Sequence, residues 1–331
     1  MPSQAGHGPF FEDLTVGQEY RNAPGVTLTS GLAAAHQAIT GDRLALVLDH
    51  ELCHEVIGSG PIAAPGLVWD VAIGQSTVVT QHVKANLFYR GLAFRHAPLI
   101  GDTLRTVTQV VALRQNRPRE GRAATGLAAL RITTIDQESR PVLDFWRCAM
   151  LPLRDQAART GHDDNLDQVG QQGSPPNFEA LVSGWQLDRF ARRVAGPRPA
   201  DLHAGQTFEV AGGDVVSSAP ELARLTVNIA AVHHDQSAAG GQRLVYGGHA
   251  IGLALTQAAR ALPSMVTVAG WHGCEHLAPV REGDTLRSEI TVEHVEYLPG
   301  GGGLAHLRSL VRADEPDARD VLDWRYVAVL A

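Results

Sequence analysis

From residue 286 onward, Leu286, Ile290 and Val292 alternate with Arg287, Glu289, Thr291 and Glu293, the period-two pattern of a strand with one wet face. Further strands are expected at Leu127 to Asp136, Val142 to Leu151, Leu304 to Ala313 and Val321 to Leu330. Two stretches show no such alternation: Pro65 to Gly74, and Gly247 to Leu255 continuing through Ala261. Both are apolar nearly all round, which marks helices buried on every side, and both open at glycine, where the chain can turn sharply. More ordinary helical segments are expected at about Gly31 to Ile39 and Ala219 to Val232. The run Pro299 to Gly303 reads as a hairpin tip, since it lacks the lysine and the following helix of a phosphate loop.

This order of elements occurs twice. Asp13-Leu14-Thr15-Val16-Gly17-Gln18 returns as Asp201-Leu202-His203-Ala204-Gly205-Gln206. Gly101-Asp102-Thr103-Leu104-Arg105 returns as Gly283-Asp284-Thr285-Leu286-Arg287, and Val142-Leu143-Asp144-Phe145 as Val321-Leu322-Asp323-Trp324. The offset narrows from 188 to 182 to 179 residues, so the chain carries a fused duplication, the period being too long for a solenoid. The expected division is 1–153, a polar Gly/Pro-rich linker over 154–180, and 181–331. One long buried helix followed by antiparallel strands implies an α+β unit whose curved sheet wraps the helix, with two such units burying their edges side by side. A site between unequal copies can be asymmetric, each half taking a different task.

Composition narrows the partners. The chain has 331 residues, 44% hydrophobic and 19% charged, enough for two globular cores. A net charge of −7 argues against nucleic acid or an anionic membrane as partner, while leaving room for a local basic pocket. Three cysteines, Cys53, Cys148 and Cys274, cannot all pair within the chain and show no C-x-x-C spacing. The start, Met1-Pro2-Ser3-Gln4, carries no basic-then-apolar leader, and nowhere do eighteen apolar residues run together. A cytoplasmic protein is expected, acting as a monomeric pseudo-dimer or a homodimer.

The copies differ most in histidine. The second has Asn228-Ile229-Ala230-Ala231-Val232-His233-His234-Asp235, then Arg243-Leu244-Val245-Tyr246-Gly247-Gly248-His249. In the first copy Asp42 stands opposite Asn228, and Val47 opposite His233. With these residues, and with Val83-Lys84-Ala85-Asn86-Leu87-Phe88-Tyr89, the chain resembles the MaoC-like (R)-specific enoyl-CoA hydratases in their double hot dog form. It is similar in particular to the mesaconyl-CoA (2-methylfumaryl-CoA) hydratases, or β-methylmalyl-CoA dehydratases, and to uncharacterised actinobacterial double hot dog proteins. The resemblance spans nearly all of the chain outside the linker.

The resemblance implies reversible hydration of a short or branched 2-enoyl-CoA, with the acyl-CoA as substrate and no separate cofactor. Such a reaction needs a base for water, an acid for the α-carbon and donors for an enolate-like oxygen. His233 is the expected base. The amides of Gly247, Gly248 and His249, at a helix start, would polarise the thioester. Asn228 stands where the family motif has Asp and would orient the water. Because an amide takes up no proton, His233 acting twice, Asp42 and Asp235 remain alternatives for the second proton transfer. Tyr246, His249, Val47 and Arg243 are the expected substrate contacts, Val47 leaving an apolar space for the acyl group. Arg243, Arg90 and Lys84 are candidates for the coenzyme A phosphates.

His272-Gly273-Cys274-Glu275-His276 has metal-like spacing on a strand, yet no fourth ligand is evident, and no metal is expected. Asp70, on the first buried helix, reads as a satisfied buried carboxylate. Two other functions stay open from the residues: a non-catalytic acyl-CoA or lipid-like ligand binder, and a thioesterase that would need Asp70 to face the thioester.

Overall fold

The two all-apolar stretches form the axes of the two halves. The computed structural model describes residues 8–171, 176–314 and 318–331. The start of the chain and the Gln172 to Pro175 part of the expected linker lie outside the described residues. The first half runs β1 (Glu19–Tyr20), β2 (Val26–Thr27), α1 (Ser30–Thr40), α2 (Ala45–Leu48), α3 (His50–Ile57), α4 (Pro65–Gln75), β3 (Ala85–Phe94), β4 (Thr103–Gln115), β5 (Thr125–Ile135) and β6 (Pro141–Pro152). After α5 (Leu187–Arg193), the second half repeats the plan. It runs β7 (Thr207–Glu209), β8 (Asp214–Val215), α6 (Ala219–Leu225), α7 (Gly247–Ala261), β9 (Met265–His276), β10 (Thr285–Tyr297), β11 (Gly303–Ala313) and β12 (Arg319–Leu330).

All twelve described strands join one antiparallel sheet, in the order β1-β4-β5-β6-β3-β9-β12-β11-β10-β7, with β2 and β8 pairing to β4 and β10. The halves meet where β3 pairs with β9, Tyr89 opposite Cys274. The double hot dog is therefore one continuous sheet wrapping two helices. Every residue of α4 is buried, as are Gly248 to Ala259 of α7. Trp69 of α4 packs edge-on against Trp271 and Trp324, closing the core between helix and sheet. Equivalent polar residues anchor both helices: Gln75 donates to the Leu104 carbonyl and Gln257 to the Leu286 carbonyl, each at 2.9 Å.

Each half seats its loop on the helix of the other. Thr256 of α7 donates to the Thr40 carbonyl at 2.8 Å, and the Ile229 amide donates to Thr77, just past α4, at 2.9 Å. A Cβ on Gly252 would press on Thr40, and one on Gly74 would collide with the Thr226 carbonyl. These crossed contacts place a loop of the second half against the first half's helix, and the site forms on that loop.

Two expectations change here. The helix expected over Ala219 to Val232 stops at Leu225, because Val227 takes a left-handed backbone with φ +54°. The described part of the segment 154–180, read as a linker from its composition, is strapped through Asp164 and Leu166 to the first half's strands. Asp164 accepts the Leu113 amide at 2.8 Å, and Leu166 packs with Phe88, Ala112, Leu127, Ala129 and Cys148. Its bonds are to distant strands, so no local periodicity announces them.

Candidate active site

Asn228 begins the local order. Its Oδ1 accepts the Ala230 amide at 3.0 Å, closing a side-chain turn, while the Ala231 amide donates to the Gln81 carbonyl of the first half at 2.9 Å. The single helical turn Ala231–His233 follows. His233 Nδ1 lies 2.8 Å from the Leu244 carbonyl. A carbonyl only accepts, so Nδ1 carries the proton and Nε2 keeps its lone pair. Burial pushes the His233 pKa down to about 4; the Leu244 carbonyl opposes that shift, and His234 and Arg147 add to it. His233 is thus a neutral base over the whole ordinary pH range.

His233 lines a cavity of about 620 Å³ with Tyr246 and Gly247 at the start of α7, Asn86 and Lys84 of the first half, and His276 at the end of β9. The His249 amide donates to the Tyr246 carbonyl at 3.0 Å, while the Gly247 and Gly248 amides, one and two residues into α7, have no carbonyl a turn before them in the helix. Gly247 brings the positive end of the helix dipole to the wall. Tyr246, preceding the helix, turns its ring edge toward His233 at 5.8 Å and donates its hydroxyl to Asp70 at 3.0 Å. Asp70, fully buried, also meets His36 Nε2 at 3.0 Å. Burial raises its pKa, and His36 and Tyr246 hold part of that rise back. A Cβ on Gly248 would strike Asp70 and the Tyr246 ring, so only glycine lets α7 approach α4 here.

The lining includes two cations, Lys84 and Arg281, and no carboxylate, although the chain is acidic overall. Behind Asn86 lies Arg147, buried on β6, which donates to Asn86 Oδ1 at 3.2 Å, Thr80 Oγ1 at 2.7 Å and the Ser76 carbonyl at 3.2 Å. No described carboxylate pairs with it, and burial pulls its guanidinium pKa down. The cavity is therefore electropositive, fitted to an anionic ligand with an apolar portion.

Of the residues expected from sequence, the fold brings His233, Tyr246, Gly247 and Lys84 to the cavity. Asn228 lies beneath the loop, its oxygen spent on the turn, and is not part of the lining. Asp42 holds the matching turn of the first half, its Oδ1 accepting the Leu44 amide at 2.9 Å, away from the cavity. Asp235 is exposed and bonds Ser237. Arg243 faces Glu282 at 3.6 Å, and Arg90 is spent on carbonyls of the strap, including Val169 at 3.0 Å. His249 is buried between the helices, outside the lining with Gly248 and Val47.

The metal-like triplet does not assemble. A bulge at His272 reverses the alternation of β9, since Trp271 and Gly273 oppose the consecutive residues Tyr326 and Arg325. His272 bonds His306 at 2.7 Å, Cys274 is buried, and His276 faces the cavity. Among the described residues the one cluster with metal-ligand spacing is His96, Asp102 and Asp136. Its carboxylates already accept from Arg140, Gln137 and backbone amides. Sequence reasoning did not single out Asn86 and Arg281, which line the cavity, or Arg147 behind Asn86, and weighed His276 within the metal-like triplet. For His276 a signal existed: the repeated Val-Leu-Asp motif places it opposite Phe94 of the first half, the same kind of exchange as His233 for Val47.

No protein-family model matches the chain. The solved structure of RV0216, a conserved hypothetical protein from Mycobacterium tuberculosis with a double hot dog fold, matches with a TM-score of 0.92 and 52% identity. The match covers 98% of this chain and 99% of that one. The chain is 26% identical to the β-methylmalyl-CoA dehydratase of Chloroflexus aurantiacus, covering 100% of this chain and 99% of the relative. It is 27% identical to the mesaconyl-CoA hydratase of Cereibacter sphaeroides, over 97% and 94% of the two chains.

Proposed function

Because the chain belongs to the double hot dog proteins and is similar over its whole length to a β-methylmalyl-CoA dehydratase and a mesaconyl-CoA hydratase, we propose that it is a MaoC-like hydratase that catalyses the reversible addition of water to a short or branched 2-enoyl-CoA. The observation that carries this reading is His233, its Nδ1–H held by the Leu244 carbonyl and its Nε2 lone pair left for water in the cavity that Gly247 lines at the start of α7. In the hydration direction, Nε2 takes a proton from water as its oxygen bonds to the β-carbon. The alkene electrons move toward the thioester, whose oxygen gains charge near the helix start. His233 then returns the proton to the α-carbon, so the atoms of one water are added and the imidazole ends neutral. Asn228 acts by shaping the turn that presents His233, and needs no proton of its own.

Lys84 and Arg281 supply positive charge for coenzyme A phosphates. The acyl groups named in the two relatives, β-methylmalyl and mesaconyl, are short and branched, and we carry that class to this chain. The steps as balanced call for no redox or metal cofactor. Three buried free thiols suit a reducing compartment, and among the described residues no helix is long and apolar enough to cross a membrane; we place the protein in the cytoplasm. The test is turnover of crotonyl-CoA and mesaconyl-CoA, followed by loss of the conjugated-thioester absorbance, with His233→Ala alongside. Turnover lost by at least 10²-fold in a folded His233→Ala supports the reading. Equal turnover in the variant removes His233 from the mechanism, and acyl-CoA binding with no turnover in the parent protein makes it a binder.

A further inference from the structure

We propose that His276 is a catalytic residue of this site, its Nε2–H donating, beside the amides at the start of α7, to the thioester oxygen as negative charge gathers there. The inference rests on the hydration reading above.

Three independent observations converge on this residue. The first is position. His276 lines the same cavity as His233, and its ring lies so close to Gly247 that a Cβ there would stand 2.6 Å from Cε1. Any other residue at 247 would drive the imidazole off the helix start, so the glycine and the histidine are matched.

The second is an unspent polar atom. Nε2 of His276 is buried and has no hydrogen-bond partner, while the ring is held edge-on by Tyr89 at 5.9 Å. A buried polar atom left without a partner costs about 1–3 kcal/mol. A substrate carbonyl at the helix start removes that cost, and does so most fully when its oxygen is charged.

The third is the duplication. His276 pairs with Leu322 across the sheet as Phe94 pairs with Leu143, and Leu143 and Leu322 hold the same place in the repeated motif. Val47 likewise replaces His233 in the first half, and Pro65, which has no N–H, stands where Gly247 stands. Base, second imidazole and helix-start amide are all present in one half and all absent from the other. Packing couples Gly247 to His276 but gives no reason for His233 to change with them.

The chemistry assigns the two imidazoles different tasks. His233 has its tautomer set by Leu244 and serves as the base, so a second base is not needed. Burial lowers the His276 pKa to about 4, with His233 adding to the effect, which keeps the ring neutral at working pH. A neutral donor stabilises the enolate oxygen without giving up its proton. It also avoids setting a second cation beside the imidazolium that forms on His233.

The experiment reads the carbonyl directly. Crotonyl-CoA is bound to the His233→Ala protein, where it stays unreacted, and the thioester C=O stretch is recorded by isotope-edited Raman or infrared difference spectroscopy. A downshift relative to free crotonyl-CoA is expected. It should shrink in His233→Ala/His276→Phe, which installs the first half's own residue, and partly return in His233→Ala/His276→Gln, which restores an N–H. In the parent protein His276→Phe should lower kcat by about 10²–10³-fold, with Gln at least 10-fold above Phe. A downshift unchanged by His276→Phe overturns the proposal, as does failure of crotonyl-CoA to bind or to shift. If the carbonyl shift depends on His276 but the parent protein turns over no enoyl-CoA, the hydration reading fails and the assignment of the oxygen contact stands. Should the Phe variant not fold, His276→Leu, smaller and equally without a donor, takes its place: loss of the shift in Leu that is partly regained in Gln supports the proposal, and a parent-like shift in Leu overturns it.

Discussion

Val227 adopts, with φ +54°, the left-handed backbone that Gly41 adopts with φ +72° at the matching turn of the other half. For a β-branched side chain that region is strained by about 1–3 kcal/mol. The strained residue immediately precedes Asn228, whose turn leads to His233. Neighbouring contacts over-determine it: the Asn228 amide donates to the Ala223 carbonyl at 2.9 Å, and the next amide is held by Thr77.

Val227→Gly should therefore stabilise the protein by roughly 1 kcal/mol, the relief of strain exceeding the entropy lost by a glycine in the unfolded chain. Urea unfolding at neutral pH measures it. A destabilised variant would mean that the valine side chain contributes more by packing than its backbone loses.

His249 offers a cleaner test of buried titration, because it lies outside the cavity and neither ring nitrogen has a partner among the described residues. Burial lowers its pKa to about 4, with His36 adding to the effect. The unfolded chain, with an ordinary value near 6.5, binds this proton first as pH falls. Between about pH 6.5 and pH 4 the residue thus removes stability on acidification, on the order of 2 kcal/mol by pH 5. His249→Leu, the residue of the first half at Leu67, should be more stable than the parent by a margin that widens by about that amount from pH 7.5 to pH 5. Asp42 and Asp70, whose pKa values burial raises, act in the opposite direction in both proteins and cancel in the comparison. Parallel stability profiles would place the His249 proton elsewhere.

The first half should resist revival. Val47→His supplies an imidazole where His233 stands in the other half, yet Pro65 still offers no amide and Phe94 no donor. In a His233→Ala background, Val47→His is expected to add no measurable enoyl-CoA turnover. Recovery of more than about one-tenth of parental kcat would show that the helix-start donors matter less than argued.

Much of the fold was legible from the chain, for reasons that particular segments make clear. Val321 to Leu330 and Leu304 to Ala313 read as strands because alternation is a local property of a sheet with one buried face. Pro65 to Gly74 and Gly247 to Ala261 read as buried helices because no polar face survives in them. The difference between the copies, read by setting His233 against Val47, pointed to a loop that lines the cavity. The strap over 154–180 was not legible, since Asp164 and Leu166 answer to distant strands, Asp164 to Leu113 and Leu166 to residues from Phe88 to Cys148, rather than to their neighbours.

The sequence by itself determined the duplication, the element order and the half that retained the imidazole, because each of these is carried by local pattern or by comparison of one copy with the other. Only the tertiary structure decided which polar residues share a cavity. Asn228, Asp42 and Asp235 have the chemistry for a site, but each lies outside the cavity and has its Oδ1 spent on a turn. His276 reaches the cavity through a bulge in β9 that reverses which face its neighbours occupy. One residue added to a strand inverts every side chain beyond it, and that inversion is fixed by pairing with β12, a strand more than forty residues further along the chain.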